Sequence, residues 1–201
     1  YHVLKGEKSL KETIINGPGG IKILPSSSGI QEMSSLSMAQ KFILQDELNA
    51  LQARPDFMLI DTCAGINDNV LYFNMIASET IVVVTPEPTS LTDAYALIKV
   101  LYQRHAKKRF SLLVNMVKTP NEAKEVFLRM AQATNHFLNL AIEQLGYIAC
   151  DDNIPRAVKQ QKLLAELYPD SPSVKSLRAV ADKLCQPRPE QEGSGTINLF
   201  N

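Results

Sequence analysis

Phe57-Met58-Leu59-Ile60-Asp61-Thr62-Cys63-Ala64-Gly65 sends an unbroken apolar run into an aspartate, with a glycine four positions further on. A run without polar alternation is the pattern of a strand buried on both faces of a parallel sheet. Ligands bind beyond the carboxyl ends of such strands, so the stretch predicts a carboxylate and a mobile loop delivered to a cleft. Thr80 to Val84 repeats the pattern. So does Phe110 to Val117, interrupted only by Ser111 and Asn115. Leu145 to Ala149 and Ile21 to Leu24 read as shorter strands.

Helical spacing fills the intervals. Leu91, Ala94, Leu97, Ile98 and Leu101 share one face of a predicted helix from Ser90 to Arg104. Pro120 suits the first turn of a long helix whose face carries Val126, Phe127, Met130, Phe137, Leu138 and Ala141. Ser37 can cap a helix bearing Phe42, Leu44, Leu48 and Leu51, and Asn67 to Ala77 reads as another. Ser9 to Ile15, Ile154 to Gln161 and Ser173 to Leu184 complete the set. Strands of this kind alternating with amphipathic helices give an α/β class: a doubly wound, mostly parallel sheet.

With 201 residues the chain can build one sizeable core. Lys plus Arg equals Asp plus Glu at 21 each, so no global field draws the chain to nucleic acid or acidic lipid. Arg104, His105, Lys107, Lys108 and Arg109 form a local basic cluster. It reads first as a helix C-terminus favoured by the helix dipole, and second as a docking patch. Cys63, Cys150 and Cys185 are odd in number and far apart, which fits a reducing compartment better than a disulfide framework. No apolar run approaches the ~18 residues of a membrane span.

Asp61, at a strand's carboxyl end, suits a magnesium ion reached directly or through water. Gly65 would let the backbone approach a terminal phosphate closely. A solvent-exposed Asp61 that caps a turn before the helix at Asn67 is an equally good reading on the local pattern alone. Asn115 carries a donor and an acceptor, as an adenine edge requires, yet satisfying nearby backbone groups explains it as well. In Thr85-Pro86-Glu87-Pro88-Thr89-Ser90 two prolines hold the loop extended, and Thr89 or Ser90 can cap the helix that follows.

Asn16-Gly17-Pro18-Gly19-Gly20-Ile21-Lys22 runs into a strand rather than opening a helix, so it reads as a turn and not as a phosphate loop. No Gly-x-x-x-x-Gly-Lys-[Ser/Thr] motif occurs in the 201 residues. His2, His105 and His136 lack metal-ligand spacing.

Taken together these segments resemble the MinD/ParA group of deviant P-loop ATPases, and within it the FlhG (FleN/YlxH) group of flagellar-number regulators. The carrying residues are Gly19 to Pro25 with Ser27 to Glu32, and Leu59 to Ile66 with Asn69 to Asn74. They continue in Val83 to Lys99, Leu113 to Val117 and Glu166 to Pro172. The Thr85 to Lys99 stretch is the most specific. The resemblance covers residues 1–185, as a domain without the family's P-loop strand, helix and switch I, and leaves 186–201 as a disordered tail. Ile197, Leu199 and Phe200 near its end are too few to bind a membrane alone.

The resemblance implies a P-loop NTPase-like fold of SIMIBI type, incomplete at its N-terminus, with an open gap where the P-loop strand belongs. It makes Asp61 the switch-II aspartate that orients the magnesium shell, and Gly65 the glycine facing the γ-phosphate. Asn115 reads adenine, and Ile148, Ala149, Cys150 and Asp151 close over the base. Asn69, Tyr72, Asp93 and Lys99 fall on the partner surface. The implied ligands are ATP or ADP with Mg2+. The implied partners are a second copy bound in ATP-dependent fashion, and a flagellar GTPase, C-ring protein or flagellar transcription regulator. A cytoplasmic place with peripheral contact on the inner face of the membrane follows, and no direct nucleic-acid binding.

Cys63 and Ala149 depart from the family, which has Gly or Pro at the first and Pro at the second. As given, these residues are expected neither to hydrolyse ATP nor to bind it tightly, because the phosphate cradle supplies most of the charge stabilisation. The complete ATPase is one reading. A non-catalytic α/β partner-binding module is the other. A phospho-receiver would want a lysine where Asn115 stands and an acidic pair near the start, which the chain lacks.

Overall fold

A computed structural model describes residues 1–26, 36–51 and 55–186. They divide into two compact units that meet in sequence at Ile76 and Ala77.

The second unit is built on three parallel strands in the order β3-β4-β5: Thr80–Val84, Phe110–Val117 and Glu143–Ala149. Helix α4 (Pro88–His105) connects β3 to β4 and α5 (Pro120–Leu138) connects β4 to β5. Val82 pairs with Leu112 and Val84 with Val114, so these four buried side chains share one face of the sheet. Ala94, Ile98 and Leu101 of α4 and Ala123, Val126 and Met130 of α5 are buried at the helical spacing expected. Ile98 and Leu101 are fully enclosed, each contributing about 1.5–3 kcal/mol of apolar burial.

The opposite face carries Ile81 and Leu113. They pack with Leu145 and Ile148 of β5 and with Val180 and Leu184 of α8 (Pro172–Cys185). Helix α8 crosses directly over Gly146, where a Cβ would lie 2.9 Å from the Val180 Cγ2. Between β5 and α8 run α6 (Asn153–Lys159) and α7 (Leu164–Leu167).

In the first unit, α1 (Leu10–Thr13) precedes an antiparallel hairpin of β1 (Ile15–Asn16) and β2 (Lys22–Ile23). Its turn is the 3-10 segment Pro18–Gly20, in which Gly19 and Gly20 adopt φ of 63° and 83°, open to glycine at no steric cost. The glycine-rich tract is therefore a hairpin turn. Helix α2 (Met38–Asn49) begins with a reciprocal cap between Ser37 and Gln40. Leu48 of α2 packs with Val3 and Leu10, and Leu44, Leu51 and Met58 join that core. Helix α3 (Asp68–Ile76) closes the unit.

Several expectations need correction. Phe57 to Ile60 is not a strand; Phe57 and Leu59 are 60% and 81% exposed. Apolar composition does not make a strand without a ladder to join, and no described residue supplies one to this segment. Ile15 leaves the first helix to enter the hairpin, and the Ile21 to Leu24 strand shrinks to two residues. Phe42 lies on the exposed side of α2.

Pro88 does not delay α4 but starts it, since the first helical position needs no amide donor. Glu87 is its N-cap, and the Ser90 hydroxyl instead accepts from the Thr85 amide at 3.0 Å. Ser27 to Glu32 and the tail from 187 onward lie outside the described residues.

Candidate functional site

The residues expected to face the base lie at the carboxyl ends of β4 and β5. Val114 pairs with Tyr147 and Val117 with Ala149, so three steps on β4 oppose two on β5. The surplus residue makes a β-bulge at Asn115-Met116, a device that commonly re-aims a side chain beside a binding site. Met116 takes φ of 59°, a left-handed conformation unusual for a residue with a long side chain, and it is exposed. Its amide donates to Asn115 Oδ1 at 2.9 Å. Beyond the bulge the ladder resumes, and the Cys150 amide donates to the Val117 carbonyl at 2.8 Å.

The loop after β5 divides by role. Ile148 is buried in the core under α8. The Ala149 amide donates to Ser176 Oγ at 3.4 Å, while Cys150 is exposed. Asp151 accepts from the Ser173 hydroxyl at 2.6 Å, from the Asn153 amide at 2.9 Å and from the Ser173 amide at 3.2 Å. The Ser173 hydroxyl, then the Asn153 amide, hold this carboxyl well below the usual aspartate range. An acidic group hydrogen-bonded to the first turn of α8 also suits the helix dipole. Asp151 therefore ties the loop down.

The switch-like segment lies in the first unit. Asp61 is exposed and has no hydrogen-bond or ion-pair partner among the described residues. Gly65 adopts φ of 102°, and a Cβ there would meet open space, so conformation rather than room requires glycine. Asn67 joins this loop to α3: its Oδ1 accepts from the Val70 amide at 3.0 Å and its Nδ2 donates to Cys63 Sγ at 3.3 Å. Among the described residues no cluster of three or more His, Cys, Asp or Glu could hold a metal. A magnesium ion at Asp61 would draw one protein carboxylate and fill its shell with water and phosphate oxygens, as this ion commonly does.

The residues expected on a partner surface differ in their freedom. Asn69 Oδ1 accepts from the Leu36 amide at 2.9 Å. The Tyr72 hydroxyl donates to the Lys41 carbonyl at 3.4 Å, its ring lies under the Lys41 ammonium, and burial raises its pKa. Asp93 and Lys99 are exposed on α4. The basic cluster ends α4 as first read. Ala106 adopts φ of 53°, and Lys107 turns inward to donate to the Ala77 carbonyl, its pKa lowered chiefly by desolvation.

Sequence reasoning missed Asn67, Ser173 and Met116. Asn67 stands one residue ahead of a helix, and Ser171-Pro172-Ser173 has the Ser-Pro form of a helix start, so both were readable. The left-handed turn at Met116 has no sequence signal.

The ParA family model described as NUBPL iron-transfer P-loop NTPase matches residues 32–185. The antiactivator FleN of Pseudomonas aeruginosa is 38% identical over 182 residues, covering 90% of this chain and 65% of that protein. The flagellum site-determining protein YlxH of Helicobacter pylori is 29% identical, covering 91% and 62%. The chain thus spans somewhat less than two thirds of these relatives. Among solved structures, MinD in the MinC:MinD complex of Aquifex aeolicus superposes with a TM-score of 0.67 at 20% identity, covering 95% of this chain and 74% of that one. Pyrococcus horikoshii MinD complexed with Mg-ADP gives 0.66 at 20% identity, covering 92% and 72%.

Proposed function

The chain belongs to the ParA family of P-loop NTPases, and we propose that its full-length protein is an ATP- and magnesium-dependent dimerisation switch that regulates flagellar number and placement. The observation that carries this reading is the 38% identity to FleN. A match over 90% of the chain necessarily includes both Asp61 and Asn115.

The chemistry of each residue supports the part proposed for it. Asp61 offers an uncommitted carboxylate to the hydration shell of a magnesium ion, and Gly65 offers backbone free to approach the terminal phosphate. Magnesium, when bound, neutralises charge that develops on the phosphoryl oxygens. Asn115 reads the base from the bulge, and Ile148, Ala149, Cys150 and Asp151 line the segment that closes over it. Asp151 works by fixing that segment.

On this reading Asn69, Tyr72, Asp93 and Lys99 belong to the surface that meets partners, with Asn69 and Tyr72 acting through the shape of α3. A second copy, a flagellar GTPase, a C-ring protein or a flagellar transcription regulator are the partners proposed. The name of FleN as an antiactivator supports the last of these. No helix among the described residues is long and apolar enough to cross a membrane. We place the protein in the cytoplasm, with peripheral contact at the inner membrane face.

Phosphate release from ATP by the full-length protein tests this reading. Turnover should be present in the wild type and fall by about 100-fold or more in Asp61→Ala, the scale of losing one charge-positioning group. Equal rates in the two would reject it, as would a wild type without turnover, which the non-catalytic module predicts.

A further inference from the structure

Asn115 stands beside a strained residue, Met116, and the bulge shows what that strain does. Asn115 Oδ1 accepts the amide of its own neighbour, Met116, and that amide is turned toward it by the left-handed φ of 59°. Of the two ends of a carboxamide only the oxygen can accept an N–H, so this contact assigns which end is which. Nδ2 has no partner among the described residues, and Oδ1 retains a second lone pair. The side chain therefore presents one acceptor and one donor in a fixed order at the half-exposed end of β4.

That order matters for a purine. Adenine offers a donor at its 6-amino group beside an acceptor at N1. Guanine and hypoxanthine offer an acceptor at O6 beside a donor at N1, the reverse sequence. For a base held in one pose, a carboxamide free to turn over pairs with either edge, whereas one held by its oxygen pairs with one and opposes the other, leaving like groups facing each other.

We infer that Met116 is a specificity-positioning residue: its left-handed amide locks the Asn115 carboxamide in the sense that accepts adenine and rejects 6-oxopurines. The inference rests on the assignment of Asn115 to the base. A left-handed conformation in a non-glycine residue costs stability, and such strain at a strand end is retained where the surrounding structure gives it a use.

The test is equilibrium binding of ATP, GTP and inosine triphosphate to the full-length protein with magnesium. Wild type should prefer ATP by about tenfold or more, the scale of one opposed hydrogen-bond pair. Met116→Gly, which adopts positive φ freely and keeps the amide, should hold that ratio. Met116→Val, β-branched and ill-suited to positive φ, should bring the ratio to within about threefold. A Met116→Val protein with the wild-type ratio would overturn the lock while leaving Asn115 as the base reader. An Asn115→Ala protein with the wild-type ratio would overturn the base assignment, and the lock with it.

Amide hydrogen exchange in the nucleotide-free wild type provides a reading independent of any variant's folding. The Met116 amide should be protected although its side chain is exposed. Exchange at the rate of an open loop amide would reject the proposal.

Discussion

The Ser173 hydroxyl donates a 2.6 Å hydrogen bond to Asp151 and so fastens the end of β5 to the first turn of α8. Ser173 is fully buried, and the same carboxylate also accepts the Asn153 amide. The link holds the loop proposed to close over the base against the helix that covers the sheet.

Acid should reveal this link. Because the folded pKa of Asp151 is depressed, its contribution is fully present above the ordinary aspartate value of about 3.9 and is lost as pH falls below it. Asp151→Asn should cost about 1 kcal/mol at pH 7 and progressively less toward pH 2. Urea unfolding of both proteins across that range measures the difference. A gap independent of pH would show that the carboxylate's charge is not what Ser173 and Asn153 stabilise.

Packing over β5 gives a second expectation. Gly146→Val places a side chain where the first carbon already lies 2.9 Å from Val180 Cγ2, so α8 has to shift. A loss of about 1–3 kcal/mol is expected, with Gly146→Ala costing less. Thermal melts of the two variants would show the order, and equal stability of wild type and Gly146→Val would mean that α8 does not sit as close as described.

The cap on α3 supplies a third. Asn67→Ala removes the acceptor for the Val70 amide and should cost about 1 kcal/mol, while Asn67→Asp retains it. Hydrogen exchange of the α3 amides should accelerate in the first variant only. Acceleration in both would assign the effect to the contact with Cys63 instead.

Loop conformation supplies a fourth. Gly65→Ala meets no atom within 4 Å but is strained at φ near 102°, so the exposed loop should relax away from that conformation, slowing ATP turnover at a stability cost of no more than about 1–2 kcal/mol. A variant that melts early yet turns over normally would contradict the role given to this glycine.

The parts of the fold that were legible are those fixed by local pattern. Phe110 to Val117 and Thr80 to Val84 are strands because apolar β-branched runs meet neighbours that complete their ladders. Phe57 to Ile60 is also apolar but has a single β-branched residue and no described neighbour to pair with, so the strand expected there does not form. Asn115 was legible as a polar interruption in an apolar run. The bulge beside it was not, because a one-residue slip between β4 and β5 is decided by pairing across the sheet and leaves no mark on Met116. Asp151 was read for its place after β5, while its partner Ser173 lies 22 residues away.

The most direct measurement is ATP affinity of the full-length protein, wild type and Asp61→Ala, with and without magnesium. On the proposed function Asp61 serves the metal's shell and Asn115 the base. Magnesium should therefore strengthen ATP binding to the wild type by about tenfold or more and leave Asp61→Ala nearly indifferent. An equal gain from magnesium in both proteins would contradict the role proposed for Asp61 at the metal.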